Sequence, residues 1–105
     1  MANQKTHIVK RGETFCVLPP MADLRPGNKW KIVNHTSETC VLTLPARLVG
    51  GGEKPAAIKQ EIAGKPLRLK IHKHAPAGVY EYQITMLRSG KKAKGNSDPM
   101  VIIDI

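Results

Sequence analysis

Aromatic residues are scarce: Phe15, Trp30, Tyr80 and Tyr82 are the whole complement, 4% of the chain. Proteins that bind single-stranded nucleic acid without sequence preference stack bases on exposed rings. Four rings, all within segments that read as inward-facing strands, leave little for such a platform. Acidic residues are also few, 8 Asp and Glu against 17 Lys and Arg, giving a formal net charge of +9 and a pI near 9.9. That balance favours anionic partners such as an acidic protein, nucleic acid or an anionic membrane surface, because net charge governs association rather than fold. Only two cysteines occur, Cys16 and Cys40, each inside an apolar run and without the Cys-x-x-Cys spacing of zinc or redox sites. They read as buried free thiols, or as one bridge if their strands are neighbours, in which case the compartment is oxidising. No stretch reaches the roughly 18 apolar residues that span a bilayer, and the first twenty residues carry no secretory apolar run. The chain as given reads as soluble, cytoplasmic if Met1 is the native start and periplasmic if it is a mature exported domain with an added Met.

What is present is enough for one core. A chain of 105 residues, 41% hydrophobic and 24% charged, suits a single domain over residues 1–105 that needs no metal or disulfide to fold. Residues 1–5 are polar and expected to fray. His7-Ile8-Val9 and Thr14 to Leu18 read as strands around the Lys10-Arg11-Gly12-Glu13 turn, and Pro19-Pro20 stops the second. Met21 to Asn28 reads as a loop or at most one helical turn. Lys29 to Asn34 alternates with period two, placing Trp30 and Ile32 on one face and Lys29, Lys31 and Val33 on the other. Trp30 is the expected core anchor.

His35-Thr36-Ser37-Glu38 turns the chain into Thr39 to Leu44, closed by Pro45. Gly50 to Pro55 is a flexible loop whose three glycines lack the Lys-Ser/Thr of a phosphate-cradling motif. A short helix within Ala56 to Ile62 is considered. Pro66 to Lys73 alternates cleanly, with Leu67, Leu69 and Ile71 inward and Arg68, Lys70 and His72 outward. Ala75 to Gly78 turns the chain into an alternating strand from Val79 to Met86. Arg88 to Pro99 is a basic loop, and Met100 to Ile105 is a closing apolar strand. About seven short strands separated by turn signals predict an all-β, two-sheet Greek-key sandwich.

From Asn34 onward, over roughly two-thirds of the chain, the signals resemble the cupredoxin-like family of plastocyanin-type and azurin-type sandwiches. The parts are Val33-Asn34-His35-Thr36, the strand Thr39 to Leu44, the lead-in Gly64-Lys65-Pro66-Leu67-Arg68-Leu69, and Gly78-Val79-Tyr80-Glu81-Tyr82. Immunoglobulin-like topology is the alternative, since a Gly-x-Tyr-x-Tyr strand with a tyrosine locking a corner occurs there too. Tyr80 or Tyr82 would be that lock. A type 1 copper site needs two histidines, a cysteine thiolate and a weak axial methionine. By resemblance, the first histidine position falls near Cys40 and the cysteine position near Ile84, while Leu87 to Asp98 contains neither Cys nor His. Met86 and Met100 flank that loop as ordinary apolar residues. The resemblance therefore implies the fold without the copper ligand set, and with no cofactor.

Other constellations stand on their residue types alone. His72-x-His74 presents two imidazoles on one strand face, which His35, His7 or Cys40 would complete into a copper or zinc site of a carrier protein. Arg68 and Lys70, the lysines beside Trp30, and Arg88, Lys91, Lys92 and Lys94 of the basic loop would merge into one anion-binding patch. No catalytic set emerges: there is no Gly-x-Ser-x-Gly elbow, Ser97-Asp98-Pro99 reads as turn chemistry, and neither cysteine has an adjacent base. The expectation is a non-enzymatic binding or accessory module with a basic surface. The alternatives are the metal carrier and nucleic-acid binding. Pairing of two copies through an exposed edge strand stays open.

Overall fold

The computed structural model describes residues 4–49, 57–93 and 99–104. In chain order the strands are β1 (Gln4–Arg11), β2 (Thr14–Leu18), β3 (Met21–Leu24), β4 (Lys29–Asn34) and β5 (Cys40–Pro45). A single 3-10 turn follows at Ala46–Leu48. Then come β6 (Ala57–Ile62), β7 (Leu67–Lys70), β8 (Gly78–Glu81), β9 (Gln83–Met86) and β10 (Met100–Ile103).

One sheet has the order β2-β1-β4-β7, and two three-stranded sheets have the orders β3-β10-β8 and β6-β5-β9. Because β8 and β9 are separated only by Tyr82, the two smaller sheets meet along one stretch of chain. Most pairings are antiparallel, but β1 runs parallel to β4 and β3 parallel to β10, so each of these two pairs is joined by a crossover rather than a hairpin.

The count is ten strands rather than about seven, for three identifiable reasons. Met21–Leu24, expected as a loop, alternates exposed and buried and pairs in parallel with β10. The segment considered for a helix is strand β6, whose residues pair one for one with β5 from Ala57↔Pro45 to Ile62↔Cys40. A solvated edge strand buries only Ile62 fully, so its sequence carries little period-two signal. The predicted strand from Val79 to Met86 changes sheets at Tyr82, pairing first with β10 and then with β5. Gln4 and Lys5, expected to fray, are paired with Trp30 and Lys31. The Gly50–Pro55 loop lies outside the described residues.

Period-two alternation delivers one core. Thr6 and Ile8 of β1, Phe15 and Val17 of β2, and Trp30 and Ile32 of β4 face inward from the first sheet. Leu42, Leu44, Tyr82, Ile84, Met86, Val101 and Ile103 meet them from the other side. Trp30 is 0% exposed and meets Tyr82 edge to face, ring centroids 5.1 Å apart and planes at 83°. Burying an indole of this size removes on the order of 200 Å² from water, worth about 5 kcal/mol. Its N–H is not left orphaned: Trp30 Nε1 donates to Thr6 Oγ1 at 2.8 Å. Tyr82 sits beside the same hydroxyl, yet its own buried O–H makes no hydrogen bond. Burial pushes the Tyr82 pKa upward, offset in part by the nearby Thr6 hydroxyl.

Two local devices set the ends of the sandwich. Gly12 has φ +60°, and among the described residues no other residue type adopts positive φ, so the two-residue β1–β2 hairpin has glycine at the first central position, the type II′ requirement. The Tyr80 hydroxyl donates to the Pro76 carbonyl at 2.9 Å, so of the two tyrosines Tyr80 is the corner lock and Tyr82 the core residue.

Candidate functional site

Three places in the fold gather the residues that carry chemistry. The first is the end of the sandwich where the resemblance puts a copper site. Asn34 organises it: its Nδ2 donates to the carbonyls of Glu38 at 2.7 Å and Ile62 at 3.1 Å, while its Oδ1 accepts from Thr36 N–H and O–H at 2.9 and 2.7 Å. That Asx-type turn feeds the chain into β5, where Cys40 is fully buried and directly opposite Met86, with Leu42 opposite Ile84.

The Cys40 Sγ donates only to the Ile62 carbonyl, at 3.7 Å. Burial, and to a lesser degree the Glu38 charge, push its pKa up to about 11. Metal coordination needs the thiolate, the form that this burial disfavours. Beyond β9 the chain is tied down by Leu87 N–H to the Thr39 carbonyl, and by Ser89 N–H to Glu38 Oε1 at 2.7 Å. The Ser89 amide holds the Glu38 carboxyl below the usual carboxylate range. The donors brought together here are the Cys40 thiol and the Met86 thioether, with aliphatic Ile84 two residues along β9 opposite Leu42 and no imidazole beside them; this set does not fit a type 1 copper ion, whose site requires two imidazole nitrogens and a thiolate.

The histidines form two separate pairs. His7 Nδ1 and His35 Nε2 lie 2.9 Å apart with rings stacked at 5.1 Å, a contact created by the parallel pairing of β1 with β4. His72 and His74 sit just after β7, ring centroids 5.6 Å apart, with His72 Nδ1 accepting from the His74 backbone N–H. The expected combination of His72 and His74 with His35 or Cys40 does not form. Ile71 is bonded to Gly27 and Asn28 at one end of β4, whereas His35 follows the other end, about 23 Å away at 3.3 Å per residue. Among the described residues no three His, Cys, Asp or Glu side chains come together as a metal site.

The third place is the solvent face of the β2-β1-β4-β7 sheet. A shallow depression of ≈ 460 Å³ is lined by Gln4, Lys5, Lys29, Trp30, Lys31, Arg68, Leu69 and Lys70. The register explains it. Lys5 lies opposite Lys31, Lys31 opposite Arg68, and Lys29 opposite Lys70. Three cross-strand pairs of like charge share one face. The one ion pair among the described residues, Lys91 with Glu13 at 3.9 Å, is elsewhere.

Like charges directly opposite on a sheet destabilise it, so nothing in the fold's own energetics calls for this arrangement. The expected single patch is thus two. Arg68 and Lys70 join Lys29, Lys31 and Lys5, while Lys91 reaches Glu13 in the β1–β2 turn, about 20 Å along β1 from Lys5. Arg88 and Lys92 lie on the same exposed segment as Lys91. Lys94, with Ser97 and Asp98, lies outside the described residues. Lys5, in the polar stretch 1–5 expected to fray, is paired with Lys31 instead. The alternation Lys5-Thr6-His7-Ile8, continued one turn of the pleat earlier, carries the signal for it.

No family model matches the chain, and no curated protein matches it significantly. Among solved structures, an amicyanin variant in its reduced Cu(I) form shares 18% identity over 99% of this chain and 84% of that one, with a TM-score of 0.61. An oxidised amicyanin variant shares 17% over 97% and 82%, with a TM-score of 0.59. Another in the reduced state shares 17% over 98% and 83%, with a TM-score of 0.60. Likeness at this identity establishes the fold. The chain is an all-β, two-layer, cupredoxin-like sandwich, which decides between the two topologies that the sequence left open.

Proposed function

We propose that this chain is a non-enzymatic binding module on a cupredoxin-like scaffold, that it works without a type 1 copper centre, and that it engages an anionic partner through Lys5, Lys29, Lys31, Arg68 and Lys70. The observation that carries the reading is the set of three like-charge pairs assembled on one solvent face with no acidic residue lining it. Such an arrangement lowers stability in isolation and gains from any partner that neutralises it. What supports the copper-free part is the donor set of Cys40, Ile84 and Met86, which offers one cysteine and one thioether and neither of the two imidazoles that the centre needs.

The test has two halves. Titration of the reduced protein with copper(II) is expected to give no intense blue charge-transfer band, and a blue, one-to-one complex would overturn the copper-free reading. Binding to fluorescein-labelled polyglutamate is expected to weaken steeply with salt and to fall on Lys31→Gln. A response flat in salt would remove the anion-binding reading.

A second reading is favoured by one contact. His7 Nδ1 and His35 Nε2 share a hydrogen bond at 2.9 Å, and loss of the shared proton would free both nitrogens for a divalent cation such as zinc or copper(II), completed by water. It predicts that His35→Ala abolishes zinc uptake while replacing both His72 and His74 leaves it intact. The converse result would return the site to the His72–His74 pair.

A further inference from the structure

The proposal that follows rests on the anion-binding reading and narrows its partner: we infer that the basic face captures an extended acidic segment of another protein, which adds alongside β7 as a fifth strand of the sheet. β7 ends the order β2-β1-β4-β7 and pairs only with β4. Among the described residues no backbone bond reaches Leu67–Lys70 from its other side.

The parity of the ladder fixes which groups are open. Ile71 N–H bonds the Asn28 carbonyl at 2.8 Å, and bonded and non-bonded pairs alternate along an antiparallel ladder. In the register Lys29↔Lys70, Trp30↔Leu69, Lys31↔Arg68, the inward-bonded residues are therefore Leu69 and Leu67. The N–H and C=O groups of Arg68 and Lys70 point away from β4, toward an incoming strand.

The same two residues carry exposed cationic side chains on the solvent face. A strand laid beside β7 puts alternate side chains on that face at a spacing of about 6.6 Å, with each Cβ about 5 Å from its partner's. Acidic residues at every second position of the guest thus fall opposite Arg68 and Lys70. Lys31 and Lys29 stand one strand behind them, and Lys5 one further back. Main-chain bonding supplies affinity and the alternate side chains supply specificity, the usual division in strand addition.

Charged residues on an edge strand also serve to block unwanted pairing. That role needs cations at the edge only, whereas here they continue across β4 to Lys5 on β1, two strands inside. A second copy of this chain is a poor guest at β7, since it would set Arg68 and Lys70 against their own equivalents. A single-stranded nucleic acid finds no row of rings to stack on, because Phe15, Trp30 and Tyr82 are buried and half-buried Tyr80 is held to the Pro76 carbonyl.

The experiment uses the whole chain and three fluorescein-labelled probes: an eight-residue peptide alternating Glu and Thr, the same peptide N-methylated at alternate residues on its pairing edge, and a dodecamer of deoxythymidine. The plain peptide is expected to bind, to lose at least tenfold in affinity on N-methylation, and to lose at least tenfold on the double change Arg68→Gln, Lys70→Gln. Lys91→Gln with Lys92→Gln is expected to change nothing. Hydrogen exchange of the Arg68 and Lys70 amides is expected to slow when the peptide is bound. Equal binding of plain and N-methylated peptides, with no amide protection, would overturn strand addition while leaving the basic face as an anion site. Tighter binding of the oligonucleotide than of the peptide would overturn the choice of guest. No binding of any probe, or binding indifferent to Arg68 and Lys70, would overturn this proposal and the anion-binding reading together.

Discussion

Replacing Thr6 by valine tests the least obvious feature of this core, a polar contact at its centre. Thr6 and Trp30 are both 0% exposed, and the Thr6 hydroxyl is the acceptor for the Trp30 N–H at 2.8 Å. Valine has nearly the same shape, so the change removes the acceptor and leaves a buried indole N–H with no partner. That desolvation penalty is about 1–3 kcal/mol. For a chain of this size each kcal/mol shifts the melting temperature by about 4–8 °C.

Thr6→Ser keeps the acceptor and loses one methyl group, worth about 1 kcal/mol. Tyr82→Phe removes a hydroxyl that has no partner, so it is expected to be neutral or slightly stabilising. Because Trp30 is the one tryptophan in the chain, its emission reports unfolding in urea without ambiguity. The stability order expected is Tyr82→Phe at or above the parent, then Thr6→Ser, then Thr6→Val. In a Trp30→Phe background followed by circular dichroism, most of the Thr6→Val penalty should vanish, since no N–H remains to be stranded. A Thr6→Val protein as stable as the parent, or a penalty undiminished in the Trp30→Phe background, would refute the reasoning.

Other expectations follow from the same geometry. At pH 8 a thiol-specific reagent should modify half-buried Cys16 and spare Cys40 until denaturant is added, because a pKa of about 11 leaves roughly one thiolate in a thousand; rapid reaction of both would show that β5 opens. Asn34→Ala should lower stability by about 1–3 kcal/mol in urea denaturation, since it strands the partly buried carbonyls of Glu38 and Ile62 and unmakes the Thr36 turn. Glu38 has a folded-state pKa below its ordinary 4.5, so its stabilisation is complete above that value and is lost as pH falls through the folded pKa. Glu38→Gln should therefore melt below the parent at pH 7, with the gap closing under acid conditions in melts recorded across pH.

The sequence by itself determined which side of each long-signal strand is buried. Period-two alternation over Lys29 to Asn34 and over Leu67 to Ile71 placed Trp30, Ile32 and Ile71 inward and Lys31, Arg68 and Lys70 outward, because successive side chains on a pleated backbone must point to opposite faces. It also marked turns and, through the resemblance around Asn34 and Tyr80, narrowed the sandwich to a cupredoxin-like or an immunoglobulin-like one. Short or solvated strands escaped it: β3 has four residues and β6 buries only one of its six side chains fully, so neither has a periodicity to read.

Pairing was decided by tertiary structure alone. Alternation says which face a residue takes but not which strand lies beside it, and the partners along β1 and β4, from Gln4↔Trp30 to Ile8↔Asn34, are far apart in sequence yet run parallel and adjacent. That one pairing brings Lys5 to Lys31, His7 to His35 and Thr6 to the Trp30 indole. The candidate site is thus made of residues whose outward or inward direction was legible locally, and whose company was fixed only when non-local strands closed around a shared core.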